Sequence, residues 1–265
     1  MKKITNLTIA TFNTQGILAL SFKYFKKCRV VADYFNTQQI DVINFQEVFF
    51  YHHFRYLKRT LTDFPYSVYK PSIFGPMAGL VTFSKYPLKF ETYKSFSKTG
   101  NVWNKSIISI LSRKGYLLSR LKNSNLYILN THFSANFSND WNTENQDTKI
   151  LKKQIQELRS LILKLPGRSI ITGDFNIHKK SFLYKLLIKN GLQDVFKTVY
   201  KTTHRGDMFV SSKNNLQVDY ILFSGKHIKV RDKKFIFDQK VRINGNKKRF
   251  ISDHVGLQAI LLIDN

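Results

Sequence analysis

The stretch "IITGDFNI", residues 170 to 177, ends an apolar run in an acid. Alternate side chains of a strand share a face, so Asp174 and Asn176 are expected to point one way and Phe175 the other. That would set two hard oxygen ligands side by side at a strand end. Gly-Asp-x-Asn is equally good turn chemistry, because Asp and Asn bond their own backbone two residues on. The same pattern recurs along the chain: Asn13 follows "IATF", Glu47 follows "VINFQ" and His132 follows "YILNT". Asp219 opens "VDYILF", and Asp253 with His254 opens "SDHVGL". Any one of these fits a cap, a turn or a rim charge. Together they place residues of catalytic type at one strand end after another, and a single pocket explains them.

The chemistry of such a pocket follows from the atoms. Oxygen ligands from Asn13, Glu47, Asp174, Asn176 and Asp253 suit Mg2+, with Mn2+ as a substitute, because Mg2+ prefers a few carboxylates together with water and substrate phosphate. Imidazoles from His132 and His254 beside it suit proton transfer near neutral pH. The other histidines, His52, His53, His178, His204 and His227, read as solvent-exposed or capping residues.

The elements that must position these groups are legible as apolar runs rich in β-branched and aromatic residues. They cover 7–13, 40–48, 78–88, 106–121, 126–133, 169–177, 218–225 and 254–263, each read as a strand. Helical periodicity is clearest over 147–165, where Ile150, Leu151, Ile155, Leu158, Leu161, Ile162 and Leu165 form one stripe that "PG" stops. Further helices are expected over 21–37, 52–63 and 181–190, the last capped by Gly191. Neither a repeat nor a linker interrupts the pattern, so residues 1–265 read as one α/β domain.

Composition narrows the partners. The chain carries 43 Lys and Arg against 17 Asp and Glu, a formal charge of +26. Such a charge attracts polyanions, whether nucleic acid, anionic lipid or other phosphate-rich substrates; a lysine-rich compositional habit would produce the same count. The 43% apolar content supports a large core and excludes a disordered chain. Cys28 is the one cysteine, which excludes an internal disulfide and a cysteine metal cluster, and it is expected to pack on a helix. The first residues show no apolar leader and no run approaches the ~18 apolar residues of a membrane span. A soluble monomer is expected, cytoplasmic or exported by a route that the sequence does not spell out.

"ATFNTQG", "NFQEV", "NTHFSA", "GDFN", "VDYILF" and "SDHVGL", in this order, resemble the endonuclease/exonuclease/phosphatase superfamily typified by DNase I. The resemblance implies a four-layer αββα sandwich, α/β (α+β) in class. Two mixed, mostly antiparallel sheets lie face to face with helices outside. It also implies roles. Glu47 would be the principal Mg2+ ligand, helped by Asn13 and Asp253, and His254 the general base that activates water, held in its tautomer by Asp219. Asp174 and Asn176 would orient the nucleophile or stabilise the transition state, and His132 would donate to a phosphate oxygen.

Within that superfamily, "GLVTFSKYPL", "RKGYLLSRL" and "NTHFSAN" followed by a long helix are similar to neutral sphingomyelinases. Lys114 of the Lys-Gly element would then bind substrate phosphate; Lys-Gly is also ordinary turn composition. Residues 234–250 read as a hairpin with an Asn-Gly turn, where secreted bacterial sphingomyelinases carry an aromatic tip. Here the tip is basic, which suits anionic head groups or nucleic-acid phosphates better than membrane insertion. Phospholipase C-type cleavage of sphingomyelin or a related phospholipid is the leading expectation. A Mg2+-dependent nuclease acting on DNA or RNA is the alternative, and an inactive binding protein of the same fold is a third.

Overall fold

The computed structural model describes residues 5–16, 22–99, 113–189, 191–205, 216–244 and 247–264. One sheet consists of β1 (Asn6–Asn13), β2 (Val42–Gln46), β3 (Tyr66–Val68), β4 (Val81–Ser84), β11 (Ile228–Ile236) and β14 (Gly256–Ile263). Its order is β11-β14-β1-β2-β4-β3. The other holds β5 (Leu88–Ser95), β6 (Gly115–Leu121), β7 (Leu126–His132), β8 (Arg168–Asp174), β9 (Gln193–Asp194) and β10 (Asp219–Ser224), in the order β5-β6-β7-β8-β10-β9. Among the described residues, only β1–β2 and β7–β8 pair in parallel. A separate ribbon of β12 (Val241–Asn244) and β13 (Lys247–Arg249) lies within the expected 234–250 hairpin, and residues 245 and 246 of its turn lie outside the described residues.

Helices cover the outer faces. On the first sheet, α1 (Phe22–Thr37) and α2 (Tyr51–Thr60) bury Tyr24, Cys28, Phe35, Phe54 and Leu57 against Phe12, Phe45 and Phe83. On the second, α3 (Gln146–Lys164) and α4 (Phe182–Ile188) bury Leu151, Ile155, Leu158 and Leu183 against Leu129, Ile171 and Tyr220. Each such side chain contributes about 1.5–3 kcal/mol by leaving water. The Asn145 side chain caps α3 by accepting from the Thr148 amide.

The layer between the sheets carries the site, and strand alternation explains how. From β1, Leu7 and Ile9 enter this layer, joined by Val42 of β2, Ile128 of β7, Ile170 of β8 and Ile221 of β10. Two residues further along, the same faces turn to amides and hydroxyls: Asn44 donates to Thr172 Oγ1 (2.8 Å), and Gln46, the next residue of that face of β2, to Asn130 Oδ1 (2.7 Å). Two residues beyond Thr11, Asn130 and Thr172 stand Asn13, His132 and Asp174, while Asp219, two residues before Ile221 on the antiparallel β10, stands level with Asp174. Register completes the row, since His132 is opposite Asp174 and Asp174 opposite Asp219. The inter-sheet layer thus passes from hydrocarbon through amide to ionisable groups at one end.

Several elements differ from the sequence expectation. The run 78–88 is a 3-10 turn (Met77–Gly79) and β4; the chain then crosses at Pro87 to the other sheet as β5. Proline cannot donate to a ladder, so a switch between sheets falls there naturally. Of the expected strand 106–121, residues 106–112 lie outside the described residues and β6 begins at Gly115. Helix α4 stops at Ile188 because Lys189 is already extended; Gly191, with φ 94°, lies beyond the helix end and does not cap it directly. No helix among the described residues is long and apolar enough to cross a membrane.

Candidate active site

Glu47 is the first residue beyond β2 and has φ 64°, a left-handed conformation that costs a non-glycine residue about 1–2 kcal/mol. Its neighbours hold it there. The Val48 amide donates to Gly79 O (2.9 Å), and a Cβ on Gly79 would stand 2.7 Å from Glu47 Cα. A Cβ on Gly16 would lie 1.6 Å from the Glu47 carbonyl oxygen, so only glycine permits that approach.

Asn13, at the end of β1, joins the acids. Its Nδ2 donates to Glu47 Oε1 (3.2 Å) and Asp174 Oδ2 (3.1 Å), while its Oδ1 accepts from the Gln15 amide (3.0 Å). Ser252 Oγ donates to the Asn13 carbonyl (2.8 Å) and lies 3.1 Å from Asp253 Oδ1, which places Asp253 beside the same strand end. Glu47, Asn13 and Asp253 carry oxygens of the kind a hard divalent cation takes, and Asn13 Oδ1 keeps a second lone pair beyond the one given to Gln15, although it is Asn13 Nδ2 that faces Glu47.

His254 lies between two buried acids. Its Nδ1 is 2.9 Å from Asp219 Oδ2 and its Nε2 is 3.7 Å from Asp174 Oδ2. Burial would push the imidazole pKa down, but the charges of Asp219 and Asp174 outweigh it and hold it well above the usual histidine value. Burial pushes Asp219 up to about 6 despite His254 and the Thr203 hydroxyl. Asp174 is held well below the usual carboxylate range, because His254, His132 and Lys114 together overcome its burial.

On the other side of Asp174, His132 Nε2 approaches Oδ2 to 3.2 Å, and Lys114 Nζ lies 2.6 Å from the same ring nitrogen. Burial and the adjacent ammonium push His132 down; burial pushes Lys114 down, with Glu47 and Asp174 opposing. The Lys-Gly pair has a steric reason, since a Cβ on Gly115 would meet Lys94 O at 2.3 Å where β6 joins β5. Lys114 is therefore no free surface turn. Its ammonium is part of the cluster.

The shared face expected for Asp174 and Asn176 is replaced by a turn. Strand β8 ends at Asp174, Asn176 has φ 50°, and its amide N–H donates back to Asp174 Oδ1 (2.9 Å). The Asn176 side chain donates to Phe133 O (3.0 Å), which keeps it at the rim of the cluster. Phe175 is buried in the core beside Phe133.

Of the five histidines read as solvent-exposed or capping, His53 is fully buried and His178 and His204 are half-buried; His204 is bridged to His254 through the backbone, with ring centroids 4.8 Å apart and Nε2 4.0 Å from Asp253 Oδ2. His204, Asp253 and His254 bring ligand-type atoms within 4.8 Å of one another, as do Asp174, Asp219 and His254. Thr203, which accepts from the Asp219 amide, and Ser252 carry no local signal that distinguishes them from other hydroxyls.

Acids, imidazoles and an ammonium thus gather at one end of two facing sheets, the kinds of group that metal-assisted attack on a phosphate ester uses. Residues 10–254 match the model of the Endonuclease/Exonuclease/phosphatase family, and the chain belongs to that family. Its members are hydrolases acting on phosphodiesters. Solved structures agree on the fold. D. rerio TDP2 complexed with a single-strand DNA product is 17% identical, with TM-score 0.73 over 97% of this chain and 99% of that one. A double mutant of Staphylococcus aureus beta toxin with bound magnesium ions is 19% identical, with TM-score 0.72 over 96% and 99%. Sphingomyelinase C from Streptomyces griseocarneus is 16% identical, with TM-score 0.70 over 98% and 99%. A search of curated proteins finds no significant match.

Proposed function

We propose that the chain is a Mg2+-dependent phosphodiesterase of the phospholipase C type, acting on sphingomyelin or a related phospholipid. The observation that supports this reading is the convergence of His132 Nε2 (3.2 Å) and His254 Nε2 (3.7 Å) on Asp174 Oδ2, with Lys114 Nζ 2.6 Å from His132 Nε2. An in-line displacement needs a base for the attacking water and donors for the equatorial, non-bridging oxygens of the phosphoryl group.

In this reading His254 takes a proton from water through Nε2, while Asp219 fixes the tautomer by accepting from Nδ1; as the water oxygen bonds to phosphorus, the bond from phosphorus to the lipid oxygen breaks and that oxygen takes a proton from solvent. Lys114 and His132 donate to the non-bridging oxygens. Asp174 and Asn176 orient the attacking water, and the Asp174–Asn176 turn keeps that carboxylate in place. Glu47, Asn13 and Asp253 would hold the cation. A bound divalent cation supplies charge neutralisation at the phosphoryl oxygens and favours the neutral form of His254 by its field.

A second reading, a nuclease, is favoured by one observation. Exposed Lys240, Arg242, Lys248 and Arg249 line the ribbon that leads directly into Ser252, Asp253 and His254, where they would meet the phosphates of a nucleic acid. The test is Mg2+-dependent release of phosphocholine from sphingomyelin in detergent micelles beside nicking of supercoiled plasmid, with His254→Ala as the blank. Phosphocholine release alone supports the lipid reading. Nicking alone replaces it with the nuclease reading.

A further inference from the structure

His53 raises a question that packing does not answer. It is fully buried on α2 among apolar neighbours such as Phe54 and Leu57, where a leucine would fill the space without burying polar nitrogens. Its ring stands edge-on to Tyr24 of α1, centroids 4.5 Å apart and planes at 89°, with Tyr24 Oη 2.5 Å from Nε2 and 2.9 Å from Nδ1. The Tyr24 hydroxyl donates onward to Thr14 Oγ1 (3.2 Å), and Thr14 donates from both Oγ1 (3.0 Å) and its amide (3.1 Å) to Gln46 O. Contacts therefore run from His53 through Tyr24 and Thr14 to the carbonyl of the peptide that joins Gln46 to Glu47.

That peptide precedes the left-handed Glu47. The ring of His53 also backs the loop from behind: a Cβ on Gly16 would stand 3.3 Å from His53 Cε1 and 1.6 Å from Glu47 O, so imidazole, glycine and Glu47 backbone are stacked without spare room. Helices α1 and α2 thus converge on one peptide of the site.

We infer that Tyr24 and His53 are positioning residues: through Thr14 they fix the Gln46–Glu47 peptide, aim the Glu47 carboxylate at Asn13, and so set the affinity of the site for a divalent cation. The inference rests on the cation-dependent reading above. Partners that orient a metal ligand from behind are typically worth about 10- to 100-fold in metal affinity.

The test reads binding without turnover. Mn2+ is titrated into substrate-free protein and free Mn2+ is followed by electron paramagnetic resonance, for wild type, Tyr24→Phe, His53→Leu and His53→Gln. Tyr24→Phe removes only the hydroxyl and is expected to weaken Mn2+ binding about 10-fold or more. His53→Gln keeps an N–H donor and is expected to lose less than His53→Leu. Leu158→Ala, a core change in α3 remote from Glu47, controls for general loosening. Wild-type affinity in Tyr24→Phe would overturn the inference, as would an equal loss in Leu158→Ala. If His53→Leu fails to fold, Tyr24→Phe decides alone. Wild-type protein that binds no Mn2+ would instead overturn the cation-dependent reading itself.

Discussion

Replacing Asp219 with asparagine keeps the shape of the side chain and removes one charge from beside His254. In the native protein Asp219 Oδ2 lies 2.9 Å from His254 Nδ1, with both groups buried. Unit charges about 4 Å apart at an effective dielectric constant of about 20 interact by about 4 kcal/mol. Removing the Asp219 charge therefore lowers the pKa of the His254 imidazolium, and Asp174, 3.7 Å from Nε2, remains in place and holds back part of that fall. The assay is the pH dependence of the His254 Cε1–H resonance by NMR in chelator-treated protein, compared across wild type, Asp219→Asn and Asp174→Asn. Turnover in Asp219→Asn should fall by about 100-fold or more, because the ring loses both its orienting acceptor and the charge that stabilises its protonated form. A His254 resonance that titrates as in wild type would refute the reasoning.

Three other perturbations probe separate parts of the cluster. Lys114→Met should lower turnover about 100- to 1000-fold at saturating substrate if its ammonium meets the developing phosphoryl charge, and unchanged turnover would remove Lys114 from that role. Asp174 has a depressed folded pKa, so its contribution to stability is complete above about pH 4 and is lost as pH falls through the folded value. Acid titration of chelated wild type should therefore show a loss of stability below about pH 4 that Asp174→Asn lacks, and parallel acid profiles would contradict it. Cys28 is buried in α1 with its thiol pushed up to about 12, so Ellman's reagent at pH 8 should label native protein only as fast as the protein opens. Immediate labelling would refute that packing.

Much of the fold and of the site could be read from strand alternation. Once "LTIATFN" is a strand, Leu7, Ile9, Thr11 and Asn13 must share a face, and the same parity links Ile128 to His132 and Ile170 to Asp174. The resemblance then named the sheets that those faces would meet. What alternation could not show was contact between distant segments. His53 sits in "YHHF", where nothing local separates it from exposed His52; its burial follows from Tyr24, 29 residues earlier. His204 reaches His254 through an isolated backbone bridge with no periodic signal. The crossover near Pro87 was hidden because "AGLVTFSKYPL" continues apolar through it, although Lys-Tyr-Pro is turn chemistry. Strand β11 escaped notice because its lysines and arginine suit a sheet edge, where charge discourages further pairing, and not the half-buried pattern of a central strand.

The central claim is that water, deprotonated at His254, attacks phosphorus. Sphingomyelin micelles hydrolysed in 18O-labelled water with Mg2+ test it directly, the phosphocholine product being followed by 31P NMR. The account predicts one 18O in the phosphate of the product, in amounts that vanish with His254→Ala or chelator. Unlabelled phosphocholine, or labelled product formed at the wild-type rate by His254→Ala, would contradict it.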